Sequence, residues 1–525
     1  MSNLEQQLQS ATIEAEKIKT TKAAISAAIV EKGGDLAGKT FADYPNAITS
    51  LQTGGGAISV SDTFALCSGS LSANVAPSGQ ILLANSASAH IPKNSGTIIL
   101  LGESRYYDGL VFSNGATDLA CNENYGHIIA YPGSACMAST TIMNNGSIEE
   151  VRGENIGGEN SSTINSFLEI VNLQGGSLNC PADFLTVSGG TVNIAGEYVD
   201  FSNSDAHPAI SSAIISGGET TFAGSCWIET LQQHGGTVNL DTFVSSANIS
   251  GGICNVGSGA SLDILTQENG EINTHGAMLY SIDVFGGTYN CFEEGNGGYA
   301  YFCNATAHLY ASPAQMVTAG SGATVNVNFT GYIYIDSIYG TVNANSGGEI
   351  YCDNMYDGTV TLHNGTNVLF SNMSGGIVYM ESACIYSCGY ISGGTIFVGE
   401  GAEVCSATIT DSGRISVKSG GRIISAGIGI DYDGYTMSSG GFVTVDTGGN
   451  MNDTILGNDA TAEIFGKTLN TVISAGSMTV MPGGSASDVS LSGGYLYVSS
   501  GGTATMVHGD SSCVTVEDGG YVEYW

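Results

Sequence analysis

In the last third of the chain, apolar and polar residues alternate in short runs, and each run follows a glycine turn. The runs read TVNAN after Gly340, TVTLH after Gly358, IVYME after Gly376, TIFVG after Gly394 and RISVK after Gly413. A period of two predicts short strands with one buried face and one solvated face. The turn glycines themselves recur at a near-constant interval from Gly340 to Gly413. A second glycine turn falls inside the period at Gly413–Gly421, Gly441–Gly449, Gly476–Gly484 and Gly494–Gly502, so one period holds two or three strands. A unit this short cannot bury an apolar face alone and must stack on its neighbours, which is the signature of a solenoid. Strands with glycine corners make it a parallel β-helix (β-solenoid) of about 18 residues per coil, in a chain that is mainly β. At one strand spacing of roughly 4.8 Å per coil, residues 171–525 are expected to form about 20 coils and a rod of about 95 Å.

The pattern changes at the other end. Residues 3–31 lack Gly and Pro and place Leu4, Leu8, Ala11, Ala15, Ile18, Lys22, Ile25 and Ile29 at alternating steps of four and three. This heptad seam predicts a helix, with two readings. One is a short parallel coiled coil, where Ile at both core positions leans towards a homotrimer. The other is a single amphipathic helix packed on another protein. Residues 34–56 predict a second short helical segment, in which Phe41, Tyr44 and Ile48 form an apolar patch and Pro45 suits a first helical turn. The stretch Thr53 to Ala57, TGGGA, reads as a hinge. Residues 57–170 are β-like without a clean period, as an irregular start of the solenoid or as a separate β region. The expected division is therefore 1–33, 34–56, 57–170 and 171–525.

Composition narrows the partners. The net charge is −36 although only 11% of residues are charged, and no Lys or Arg occurs between Arg152 and Arg414. Binding of nucleic acid or anionic lipid needs a basic footprint, so neither is an expected partner. Thirteen cysteines occur with no CxxC pair, and Cys384 and Cys388 lack the matching partners of a zinc site. Cysteines inside strand runs, such as Cys254 and Cys291, are expected as buried thiols in a chain made in a reducing cytoplasm. No apolar run is long enough to span a bilayer as a helix, and Glu5, Glu14, Glu16, Lys17, Lys19 and Lys22 are spread along the start of the chain. Neither a signal peptide nor a membrane-inserting helix is expected.

Candidate chemistry is sparse. A lyase usually neutralises its substrate acid with Arg or Lys, which most of the solenoid lacks. A hydrolase needs two carboxylates at short separation; Glu149 with Glu150, Glu293 with Glu294, and Asp431 with Asp433 are such pairs, but 48 acidic residues produce pairs by chance. Nucleophile-elbow, zinc-protease and phosphate-loop motifs are missing. Asp353, Asn354 and Asp357 read as turn residues and not as a calcium site. No catalytic residue, cofactor or metal is assigned. The aromatic residues are more informative: Tyr299, Tyr301, Tyr310, Tyr332, Tyr334, Tyr339, Tyr351 and Tyr356 crowd the middle of the repeat region. Where alternation sends them outward on successive coils, they are expected to form an aromatic strip for a cell-surface glycan or protein.

Two resemblances add to this. VSGGTVNI (Val187 to Ile194), ISGGTIFV (Ile391 to Val398) and LSGGYLYVSSGGTATMVHGD (Leu491 to Asp510) resemble the strand-loop-strand repeats of AIDA-type autotransporter passengers, and glycine-punctuated β-helices also occur in phage tail fibres and tailspikes. The segment with Thr40, Phe41, Asp43, Tyr44, Pro45, Ile48 and Leu51 is similar to one near the N-termini of phage tail and baseplate-associated proteins. These resemblances imply a structural virion protein, a tail fibre or spike, joined by its N-terminus to baseplate or tail proteins and presenting a β-helix to a host surface. The alternatives are a bacterial surface adhesin of AIDA-like type and a glycan-depolymerising tailspike hydrolase.

Overall fold

The computed structural model of the chain describes residues 59–66, 69–83, 87–100, 106–107, 110–111, 119–130, 139–142, 146–150, 168–179, 182–195, 210–295, 297–345, 347–363, 365–382, 384–430 and 439–525, together with Lys19, Lys22 and Ile25. The chain divides into two compact units, Met1–Leu231 and Gln232–Trp525. Each is a parallel β-solenoid built from the alternating runs seen in the sequence.

In the second unit, a typical coil contributes one short and one long strand, and each kind pairs in parallel with its own kind. The short strands Thr324–Val327, Thr341–Ala344 and Thr359–Leu362 bury their second and fourth residues and turn the first and third outward. The buried second positions form a column through Val325, Val342, Val360, Val378 and Ile396, one from each coil in unbroken register. The long strands Tyr332–Ile338, Glu349–Met355 and Asn367–Met373 begin with the same alternation. In the last two of these, two successive residues then turn outward, Asp353 with Asn354 and Ser371 with Asn372, before Met355 or Met373 returns to the core. The regular period is thus two strands with a bend, not three. Each Val or Ile that is fully buried contributes roughly 1.5–3 kcal/mol, and the repetition of that contribution in every coil replaces a globular core.

The first unit follows the same rule with uneven steps. Its short-strand column runs Phe64, Ile81, Ile98, Ile128, Ile148, Leu178 and Ile194. The steps from Ile98 to Ile128 and from Ile148 to Leu178 are nearly twice the step from Phe64 to Ile81. Additional residues between coils hide the period, and one such insertion holds a small antiparallel pair, Tyr106–Tyr107 with Leu110–Val111. Among the described residues, the first parallel pair is Ser59 with Asn74. At one corner of this unit Asn94 and Asn124 are buried and stacked: Asn94 Nδ2 donates to Asn124 Oδ1 at 2.7 Å. Their Oδ1 atoms accept the amides of Gly96 and Gly126 at 3.1 and 3.3 Å, so the corner's polar groups are satisfied inside.

The recurring glycines have a steric cause. Gly358, Gly376 and Gly394 have positive φ, and each packs against the carbonyl of the glycine one coil earlier. A Cβ on Gly376 would lie 2.8 Å from the Gly358 oxygen and 2.6 Å from Met355 Cε. The glycine carbonyls also accept the first ladder bond of the next coil: Thr359 N–H donates to Gly340 O, Ile377 N–H to Gly358 O and Thr395 N–H to Gly376 O, at 3.0, 2.9 and 3.0 Å. Close approach of two backbones therefore sets the glycine spacing at one coil.

Leu4, Leu8, Ile18, Ile29, Phe41, Tyr44, Pro45 and Ile48 lie outside the described residues, and Ile25 is helical and half-buried. Among the described residues no helix is long and apolar enough to cross a membrane.

Candidate ligand-binding face

All eight tyrosines singled out in the sequence point outward, but they lie on three surfaces and not on one strip. Tyr310 follows the short strand Thr306–Leu309 and stacks on Phe292 at 5.4 Å, which in turn stacks on His275 at 5.0 Å. Tyr339 and Tyr356 each follow a long strand and stack on one another at 4.9 Å with planes 13° apart. Each stacked ring gives one face to its neighbour, so these two corners read as aromatic ladders that stabilise neighbouring coils.

The other five share the outward face of the long strands. Tyr299 and Tyr301 lie on Gly297–Phe302, in register with Met316 and Thr318 of the next coil, and the Tyr299 hydroxyl donates to Thr318 Oγ1 at 3.2 Å. Further along, three consecutive long strands set out their outward side chains as a grid. Tyr332, Tyr334 and Asp336 form the first row, Glu349, Tyr351 and Asp353 the second, and Asn367, Leu369 and Ser371 the third. The register pairs Tyr332 with Glu349 and Asn367, and Tyr334 with Tyr351 and Leu369. Strand geometry fixes the mesh at roughly 4.8 Å between rows and about 6.7 Å between columns.

Hydrogen bonds hold part of this grid in place. The Tyr334 hydroxyl donates to Asp353 Oδ2, and Ser371 Oγ donates to Asp353 Oδ1 at 3.2 Å. Tyr351 and Ser371 share a hydroxyl–hydroxyl bond of 3.1 Å, and the Tyr334 and Tyr351 rings stack at 5.2 Å. The bond to Asp353 raises the Tyr334 phenol above its ordinary pKa, with partial burial and nearby carboxylates adding to it. Tyr332 is also raised, first by partial burial and then by Tyr351, Glu349 and Asp353. It is 56% exposed and among the described residues belongs to no stacked pair, so its ring face is open.

The short-strand face differs. Its outward asparagines bond to one another: Asn255 to Asn239 at 2.8 Å, Asn273 to Asn255 at 3.0 Å, Asn290 to Asn273 at 2.8 Å and Asn343 to Asn326 at 3.0 Å. These amides use one another as partners, which favours ladder stability over ligand contact.

Of the acidic pairs named from the sequence, one falls among residues whose side chains the structure describes. Glu293 and Glu294 are successive exposed residues at a strand end; Asp431 and Asp433, and the side chains of Glu149 and Glu150, lie outside the described residues. The sequence reading missed the juxtaposition of Asp336 with Asp353, which lie side by side on adjacent strands, between the pairs Ile335–Cys352 and Ser337–Asn354. Asp336 and Asp353 are one coil apart, as are Tyr334 and Tyr351, and that shared step was the available signal. Asp353 and Asn354 belong to a strand, not to a turn; Asp357 lies in the bend that follows it. Among the described residues no group of three or more His, Cys, Asp or Glu is placed to hold a metal ion. Cys121, Cys226, Cys254, Cys291 and Cys352 are buried. Burial pushes the thiols of Cys121 and Cys254 up to about 12 and that of Cys291 up to about 11.

No family model matches the chain, and no curated protein matches it. Among solved structures, the crystal structure of a TibC-catalysed hyper-glycosylated TibA fragment aligns with 18% identity over 76% of this chain and 97% of that one, at a TM-score of 0.22. A superposition this loose adds nothing to the coil geometry above.

Proposed function

We propose that this protein is a non-catalytic, surface-presenting solenoid of adhesin type, and that the outward face of its long strands contacts a glycan or protein on a cell surface. The observation that carries this reading is the grid of Tyr332, Tyr334, Glu349, Tyr351 and Asp353 on a regular sheet face, with an open aromatic ring and a carboxylate, Asp353, held by two hydrogen bonds. Tyrosines of this kind supply much of the energy at binding surfaces. The test is binding of the labelled full-length protein to intact cells. Replacing Tyr332 and Tyr351 together by Ala is expected to weaken binding about tenfold or more, while Tyr379→Ala, at a stacked short-strand position, leaves it unchanged. Equal binding by all three proteins would rule the face out. Incubation with host capsule should release no new reducing ends; release would favour the depolymerase reading.

A second reading, a phage tail fibre or spike, is supported by the N-terminal residues Thr40, Phe41, Asp43, Tyr44 and Pro45 and by the heptads before them. On that reading the heptads assemble a homotrimer, residues 1–56 join baseplate or tail proteins, and the protein resides in the virion. Sedimentation of the full chain against an Ile18→Asp, Ile25→Asp variant tests the assembly: a trimer that becomes a monomer supports it, and a monomeric parent removes it.

A further inference from the structure

Resting on that reading of the long-strand face, we infer that its ligand carries free ammonium groups: an amino-sugar chain with unacylated nitrogens. The outward polar groups at the centre of the grid are acceptors in excess. Glu349, Asp336 and Asp353 bring three carboxylates to two adjacent strands. The sequence supplies no Lys or Arg between Arg152 and Arg414, so no ammonium or guanidinium of this stretch neutralises them. Asp353 is held by Tyr334 and Ser371, which fixes its direction but leaves its charge unbalanced. A uronic or sialic acid chain would meet only repulsion here. A neutral sugar would satisfy some lone pairs and leave the charge as it is, whereas an ammonium group gives both donors and countercharge.

The aromatic residues point to the same chemistry. The open ring of Tyr332 stands beside Glu349 in register, one strand spacing away. A ring face next to a carboxylate is a recognised environment for an organic cation, because the ring quadrupole and the negative charge attract it together. The rows repeat at roughly 4.8 Å along the solenoid, comparable to the length of one pyranose in an extended chain. Successive amino sugars can therefore meet successive rows, which favours a polymer over an isolated amine.

The test is calorimetric titration of the full-length protein with a glucosamine hexamer and with its fully N-acetylated counterpart. The unacylated hexamer is expected to bind about tenfold tighter. Its advantage should shrink when salt rises from about 0.1 M to about 1 M, where the screening length falls from about 10 Å to about 3 Å. The near-isosteric changes Glu349→Gln and Asp336→Asn should each weaken the unacylated hexamer severalfold and leave the acetylated one unchanged. Tyr332→Ala should weaken both. Equal affinities, or tighter binding of the acetylated hexamer, overturn the ammonium inference and leave the binding reading standing. Tight binding of the unacylated hexamer that survives Glu349→Gln combined with Tyr332→Ala also overturns it, because attraction to a chain of net charge −36 then needs no site. If neither hexamer binds while cells do, the inference fails alone; if cells also fail to bind, the functional reading fails with it.

Discussion

Single residues in the second unit are placed by backbone conformation as much as by side-chain chemistry. Where the long strands bend, Ser406, Ser425, Asp453, Asn470, Asp488 and Met506 all have positive φ and fall at equivalent positions of successive coils. Asp and Asn tolerate this region because their short side chains bond locally, and Asn470 Nδ2 donates to Asp453 Oδ1 at 2.6 Å. Met506 has no such compensation, at a cost of about 1 kcal/mol. Met506→Asn is therefore expected to raise stability by that amount in chemical denaturation; a loss would mean that Met506 packing outweighs its strain. The buried thiols lead to a pH prediction. Cys121, Cys254 and Cys291 have folded pKa values raised above the free-thiol value of 9.0, to about 12, 12 and 11. Their stabilising contribution is complete below about pH 9 and is lost as the pH climbs towards 11 to 12, because only the unfolded chain then ionises freely. The denaturation midpoint should fall over that window, and less steeply in Cys254→Ala; an unchanged slope would assign the fall to other groups.

At the scale of the strand and its turns, glycine is the element's fixed point. Gly376→Ala would place a methyl 2.8 Å from the Gly358 oxygen in a backbone with φ +80°. The Gly358 carbonyl is also the acceptor for Ile377 N at 2.9 Å. Strain and a disturbed ladder bond together are expected to cost about 2 kcal/mol or more, read as a lower thermal midpoint with strand content preserved below it. An unchanged midpoint would show that the corner can relax. This explains why the fold was readable from Gly340 to Gly413, where steric need repeats every coil. Between residues 57 and 170 the same columns exist, but the uneven insertions break the count before pattern can show them. The face was only half readable. Alternation marks Tyr332, Tyr334 and Tyr351 as outward, yet their grouping with Asp336 and Asp353 depends on register. Register becomes visible only when the step of one coil is applied to tyrosines and carboxylates at once.

At the scale of the whole molecule, charge is the dominant unbalanced term. The net charge of −36 and sequence pI near 4.1 leave the folded chain repelling itself at neutral pH. Among the described residues, Lys418 lies 2.7 Å from Asp446, and Arg422 lies 3.5 Å from Glu403. Both pairs are substantially exposed, and such pairs contribute little, typically up to about 1 kcal/mol. Between Arg152 and Arg414 there is no Lys or Arg to form one. Salt therefore screens far more repulsion than attraction, the reverse of the usual expectation for a surface rich in ion pairs. At pH 7, sodium chloride raised from low concentration to about 0.5 M, where the screening length is only a few ångströms, should raise the thermal midpoint by a few degrees. Chloride is the appropriate salt, because sulfate also strengthens apolar burial and would confuse the cause. The same addition near pH 4, where most carboxylates have lost their charge, should have almost no effect. A midpoint that falls with chloride at pH 7 would mean that the few ion pairs outweigh the self-repulsion of the solenoid, and that acidity is then a property of its surface without consequence for its stability.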